Sequence, residues 1–174
     1  MKSTDAIQSA IFCSIIPSPV GDLLLATDGT ALTGLYFAGR DHIPAVSKQW
    51  TRNPRHPVLQ QTAKQLKEYF AGKRTKFSLP LRPSGTNFQE KVWQEIARIP
   101  YGETITYTDL AKRAGAPLAI RAAGTSTGRN PLSIIIPCHR VVGKNGSLTG
   151  FAGGLGKKRH LLELENVDLK PLVS

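Results

Sequence analysis

Residues 73–87, K-R-T-K-F-S-L-P-L-R-P-S-G-T-N, split the chain into two halves that cannot share one repeating pattern. Pro80, Pro83 and Gly85 fall within six positions, which stops a helix and excludes a central strand. Ahead of this stretch the apolar runs are short and punctuated by turn residues. Behind it they follow helical spacing. The break predicts an N-terminal module over residues 1–85 and a second domain over 86–174.

In the front half, I-F-C-S-I-I, P-S-P-V-G-D, L-L-L-A-T, D-G-T and A-L-T-G-L-Y-F alternate apolar runs with breakers. Asp28-Gly29 between two such runs is a hairpin signal, so residues 11–37 read as a small antiparallel sheet. From Arg40 to His56 the periodicity is poor, as expected of a connecting segment. Leu59, Ala63, Leu66 and Phe70 then fall on one helical face that Ala71-Gly72 closes. Cys13 reads as a core residue.

In the back half, Phe88, Val92, Trp93, Ile96 and Ile99 share one face of a helix that starts near Asn87 and stops at Pro100. Thr106 is a good N-cap with Asp109 three positions on, opening a helix to about Ala114. Gly115-Ala116-Pro117 is a turn, and Leu118 to about Thr127 forms a second helix, so the pair reads as a helix-turn-helix. Ala119, Ala122, Ala123 and Gly124 leave Arg121 as the single long polar side chain early in that second helix. Such a surface lacks the hydrogen-bonding side chains of a major-groove reader. Two readings follow: a smooth face for close approach to a groove wall, with Arg121 as a probe, or an alanine-rich core helix with Arg121 in solvent.

Charge adds direction. Lys and Arg number 23 against 12 Asp and Glu, a net +11. That favours a polyanionic partner, nucleic acid ahead of an acidic membrane, with simple solubility as the alternative. Two cysteines are too few for a disulfide framework or a cysteine-rich zinc site, and no run approaches the length of a membrane span. The start M-K-S-T-D-A-I-Q lacks the features of a secretory signal, which predicts an intracellular, cytoplasmic protein.

The densest chemistry is I-I-I-P-C-H-R-V-V, residues 134–142. Ile134, Ile135 and Ile136 read as a buried strand that Pro137 ends, delivering Cys138 at its rim. His139 and Arg140 can each favour the thiolate. Neighbouring side chains in extended chain point apart, so a bridging water would link cysteine to histidine. A histidine base needs a carboxylate to fix its tautomer, and Glu163 and Glu165 in the C-terminal helix are the candidates.

The run P-C-H-R-V-V, preceded by G-R-N-P and followed by G-F-A-G-G-L, resembles the active-site region of the O6-alkylguanine-DNA alkyltransferases. The likeness extends back through F-Q-E-K-V-W-Q-E-I-A-R-I-P-Y-G-E-T-I-T-Y and forward to Glu165, covering roughly residues 86–165. Residues 1–85 fit that family's variable front half in outline. The fold implied is α+β: a small N-terminal β-sheet module with a helix, plus a mainly helical C-terminal domain carrying the helix-turn-helix and the cysteine.

The resemblance implies direct reversal of DNA damage, in which an O6-alkylated guanine is flipped from the duplex and its alkyl group moves irreversibly to Cys138. By the same match His139 is the water-mediated base, Glu165 its orienting carboxylate, and Tyr107 the proton donor to the leaving guanine. Asn130 is a hinge tying DNA contact to the reactive loop. Arg121 replaces the departed base in the stack, with Ala119, Ala122, Gly124 and Thr125 along the minor groove. Val141 offers its carbonyl to the guanine amino group, while Phe151, Ala152 and Gly153 wall the pocket.

Phe151 departs from the tyrosine common in the family. No cofactor or metal is implied. The partner is double-stranded DNA carrying O6-alkylguanine, with O4-alkylthymine a further lesion to test. The protein is read as a monomer, cooperative binding along DNA staying open. The rivals are a turning-over cysteine hydrolase, a lesion-binding relative that does not transfer, and a sequence-reading transcription factor.

Overall fold

The computed structural model describes residues 9–39 and 43–169. Three strands, β1 (Phe12–Ile16), β2 (Leu23–Thr27) and β3 (Leu32–Phe37), form an antiparallel meander, joined by the two-residue β4 (Thr51–Arg52) beside β1. The sheet order is β3-β2-β1-β4, with β4 parallel to β1. The Asp28-Gly29 hairpin forms as expected: Gly29 takes φ +100°, and Asp28 Oδ1 accepts from the backbone N–H groups of Thr30 and Ala31, both at 2.9 Å. β2 is buried along its whole length.

Two readings of the front half are corrected. The segment after Arg40 contains a 3-10 turn at Ala45–Gln49 and then β4, elements too short to leave a periodic pattern. Cys13 is half-buried at a surface cavity with Arg52 and Asp22, because alternation along β1 turns Ser14 inward instead.

Helix α1 (Pro57–Phe70) is capped by His56, whose ring nitrogen accepts from Val58 N at 3.2 Å, and ends before Gly72 at φ +71°. It buries Leu59, Leu66 and Tyr69. The breaker-rich stretch then runs extended beside β3: Leu32 N donates to the Pro80 carbonyl at 2.8 Å and Arg82 N to that of Leu32 at 2.9 Å. At its end Thr86 and Gln89 form a reciprocal capping box that starts α2 (Asn87–Ala97).

The back half continues with β5 (Ile105–Thr106), α3 (Tyr107–Arg113), α4 (Ile120–Gly128), β6 (Val141–Val142) and α5 (Leu155–Leu164). Thr106 caps α3 through Asp109 N, at 3.1 Å, as expected. The second helix of the pair begins two residues later than its pattern suggested, since Ala119 N still closes a turn onto Ala116 O at 2.9 Å. Trp93 Nε1 donates to Ser126 O at 2.8 Å and pins α4 onto α2. One buried cluster runs through both halves, from Leu23, Leu25 and Leu66 to Val92, Leu110, Leu132 and Leu161. Among the described residues no helix is long and apolar enough to cross a membrane.

Candidate active site

The segment before Cys138 is a tight turn, which corrects the strand expected for Ile134–Ile136. Asn130, at the end of α4, donates from Nδ2 to the Ile136 carbonyl at 2.7 Å and accepts from Leu132 N at 2.9 Å. Between these clamps Ile134 is forced to φ +73°, left-handed backbone that a β-branched residue rarely adopts. The edge of β3 holds the same turn from outside, Leu35 N donating to Pro131 O at 2.8 Å and Ser133 N to Leu35 O at 3.1 Å. Three consecutive isoleucines are apolar because all three are buried, not because they are extended.

Cys138, His139 and Arg140 form one 3-10 turn, after which Val141 pairs with Ile105. The Cys138 side chain is buried, at 4 % relative exposure. Burial raises its thiol pKa, opposed by the Asn130 side-chain amide, the ammonium of Lys158 and the backbone N–H groups of Cys138 and His139. The net direction is upward, so the resting sulfur is a thiol surrounded by groups that stabilise the anion once its proton leaves. Arg140 does not join them; it is turned toward Glu165.

His139 is fully buried, and its Nε2 lies 2.7 Å from Glu165 Oε1. Burial pushes the imidazole pKa below its ordinary value despite that carboxylate, leaving a neutral ring. An ionised carboxylate only accepts, so Nε2 carries the hydrogen and Nδ1 is the free base. Nδ1 is buried without a hydrogen-bond partner among the described residues.

Glu165 sits at the C-cap of α5, whereas Glu163 is exposed, so the structure chooses between the two candidates. Burial alone would raise the Glu165 carboxyl pKa; hydrogen bonds from His139 and Arg140 outweigh it and hold the group well below the usual carboxylate range. Arg140 donates from Nε to Oε2 at 2.8 Å and from an Nη to Oε1 at 2.9 Å, and its other Nη reaches the Ile99 carbonyl at 2.6 Å. This bidentate pair keeps Glu165 ionised without a proton on His139.

A cavity of about 510 Å³ opens between α4 and residues 149–152, lined by Tyr107, Ile120, Arg121, Gly124, Phe151 and Ala152 among others. Tyr107, half-buried, points its hydroxyl at the Thr149 and Gly150 carbonyls, at 3.3 and 3.4 Å. Burial raises its phenol pKa and the Cys138 sulfur adds to the rise, which links the cavity wall to the buried thiol. Arg121, Ala122 and Thr125 are exposed on α4, with Ala119 and Gly124 half-covered. Gly153 is buried where a Cβ would strike the rings of Phe37 and Phe151, which pack edge to face at 5.5 Å.

Two residues were not anticipated. Lys158 is fully buried, donating from Nζ to the carbonyls of Val141 at 2.6 Å and Thr149 at 2.9 Å. The Val141 carbonyl expected for substrate thus already accepts one hydrogen bond, and keeps a second lone pair. A signal was present: Lys158, Leu161, Leu162 and Glu165 lie at helical spacing on one buried stripe. Tyr69, in α1, donates its hydroxyl to Glu165 Oε1 at 2.7 Å across 96 residues of sequence, and no local pattern announces it. Among the described residues there is no cluster of metal-ligating side chains.

Comparison with known proteins agrees across the chain. The family model described as "6-O-methylguanine DNA methyltransferase, DNA binding domain" matches residues 87–167, and "6-O-methylguanine DNA methyltransferase, ribonuclease-like domain" matches residues 11–83. The methylated-DNA–protein-cysteine methyltransferase of Haemophilus influenzae is 44 % identical over 161 residues, 92 % of this chain and 89 % of that protein. The crystal structure of Mycobacterium tuberculosis O6-methylguanine methyltransferase superposes with a TM-score of 0.83 at 44 % identity, covering 89 % of this chain and 92 % of that one. The Mycobacterium tuberculosis OGT in complex with DNA gives a TM-score of 0.82 at 42 % identity, covering 94 % and 96 %.

Proposed function

The chain belongs to the 6-O-methylguanine DNA methyltransferase family, and on that premise we propose that Cys138 accepts the alkyl group of O6-alkylguanine in double-stranded DNA. Its activity is that of a methylated-DNA–protein-cysteine methyltransferase, a DNA-repair protein that binds DNA. The observation that carries the assignment is the buried arrangement in which His139 Nε2 is tied to Glu165 while Nδ1 stays a free base, next in sequence to a buried Cys138 thiol flanked by anion-stabilising donors.

In this reading the Cys138 S–H proton passes to His139 Nδ1 through a water, and Glu165 stabilises the imidazolium. The sulfur attacks the saturated alkyl carbon, forming an S–C bond as the C–O6 bond breaks and its electron pair moves into the guanine. Tyr107, kept protonated by burial, donates the proton that neutralises the departing base. The His139 imidazolium releases its proton and the Tyr107 phenolate takes one up through solvent, so the net products are an unmodified guanine and a thioether on Cys138, which does not hydrolyse, and each molecule acts once.

Arg121 enters the stack in place of the flipped base, with the small residues of α4 along the minor groove and Val141, Phe151, Ala152 and Gly153 around the base. Asn130 couples that helix to the thiol. Residues 1–85 and 86–174 act as two units of a monomer working in the cytoplasm on chromosomal DNA, and O4-alkylthymine is a second candidate substrate.

Mixing the protein with a duplex bearing one O6-methylguanine and mapping the digested protein by mass spectrometry tests the acceptor. One methyl per molecule on the Cys138 peptide, absent after Cys138→Ser, is the expected result. Tight binding without transfer would instead identify a lesion-recognition protein.

A further inference from the structure

We propose that Tyr69, supplied by the N-terminal module, is a positioning residue for alkyl transfer: its hydroxyl holds the Glu165 carboxylate in the orientation that keeps His139 a neutral base. The proposal rests on the reading of His139 as that base.

The geometry is specific. Glu165 Oε1 accepts from Tyr69 at 2.7 Å, His139 Nε2 at 2.7 Å and Arg140 at 2.9 Å, while Oε2 accepts from Arg140 Nε at 2.8 Å and from Gly102 N at 3.3 Å. The phenol therefore donates to the same oxygen that faces the imidazole. Its ring is fully buried and set among Phe70, Phe77 and Tyr101, with centroids at 5.3, 5.4 and 6.2 Å. Burial, with Glu165 beside it, holds the phenol protonated well above its ordinary range, so it is a donor at every working pH.

Packing would be met by the ring alone, whereas the hydroxyl is aimed at the oxygen that faces His139. Withdrawing one donor leaves Oε1 with more uncompensated negative charge toward Nε2, which favours the imidazolium. Arg140 and Lys158 act on the ring with the opposite sign, and both remain in place. Within α1 no other charged side chain reaches the site: Glu68 pairs with Arg74 at 2.6 Å, and Lys64 and Lys67 lie on its outer face. Tyr101, the remaining titratable neighbour, donates its hydroxyl to the Leu164 carbonyl at 3.0 Å.

The test uses the full chain with Tyr69→Phe, which keeps the ring. In a Cys138→Ser background the His139 imidazole is titrated by NMR, a readout that needs no alkyl transfer; in the Cys138 protein the single-turnover rate is followed against pH. The expected result is a His139 midpoint raised by about half a pH unit or more, with the acid limb of the rate profile moving the same way. Incorporating 3-fluorotyrosine at position 69, a stronger donor of nearly equal size, is expected to move both downward, and it serves if the phenylalanine variant does not fold. An unmoved midpoint in folded protein would overturn the proposal and leave the base assignment intact. A midpoint that moves while the rate profile stays fixed would overturn the base assignment itself, and this role with it.

Discussion

The side-chain amide of Asn130 reaches six residues along the chain to the carbonyl of Ile136, at 2.7 Å, and so closes the turn that presents Cys138. The same amide acts on the sulfur, so one side chain shapes the loop and stabilises the thiolate. Asn130→Ala orphans the buried Leu132 N–H and leaves the Ile136 carbonyl with only the Cys138 N–H, at 2.8 Å, and is expected to cost about 1–3 kcal/mol of stability. Urea unfolding beside single-turnover transfer checks it; a variant as stable and as fast as the parent would refute the dual role.

Ile134 is buried, at φ +73°. Alanine at an ordinary helix or strand position is more stable than glycine, but here the left-handed backbone reverses that order by about 1 kcal/mol. Both Ile134→Gly and Ile134→Ala lose the buried side chain, and Ile134→Gly should have the higher melting temperature. The usual order, with alanine ahead, would show that the turn is not strained.

Burial lowers the Lys158 ammonium pKa from an ordinary 10.5 to about 8. Between those values the unfolded chain binds more protons than the folded one, so this group makes stability rise with pH across that window. Lys158→Met removes the effect. The stability of the parent relative to that variant should stay flat below about pH 7 and grow from about pH 8 to about pH 10.5 in denaturant unfolding; a flat difference would sink the assignment.

If Arg121 fills the gap left by a flipped base, as proposed above, Arg121→Ala slows repair by about tenfold or more, because the cost of unstacking that base goes unrecovered. Affinity for undamaged duplex should fall far less, with the salt slope reduced by about one. Equal repair rates would remove Arg121 from the stack.

Phe151 packs on Phe37, at the wall where the family resemblance leads one to expect a tyrosine hydroxyl. Restoring one hydrogen bond near the reacting oxygen is worth about 1 kcal/mol, so Phe151→Tyr should speed single-turnover transfer by about fivefold. Identical rates would mean that the hydroxyl does not reach the leaving group.

Helices α1 and α2 were legible from an apolar face at helical spacing closed by Gly72 or Pro100, and α3 from the Thr106 cap with Asp109 three positions on. The Asp28-Gly29 hairpin was legible from a local signal too. That His139 would need a downstream carboxylate was readable beside Cys138, and the structure joins His139 to Glu165 at 2.7 Å. The course of residues 130–137 was not, because burial and extension leave the same apolar run, and only Asn130 and the edge of β3 bend it into a turn. The local pattern left Glu163 and Glu165 both open, with only the family resemblance favouring Glu165, and nothing in it foresaw that Arg140 would serve the carboxylate rather than the thiol. Tyr69 lies 96 residues from its partner. A hydrogen bond across that distance exists only once the shared core brings α1 against the C-terminal helix, so tertiary packing alone decided it.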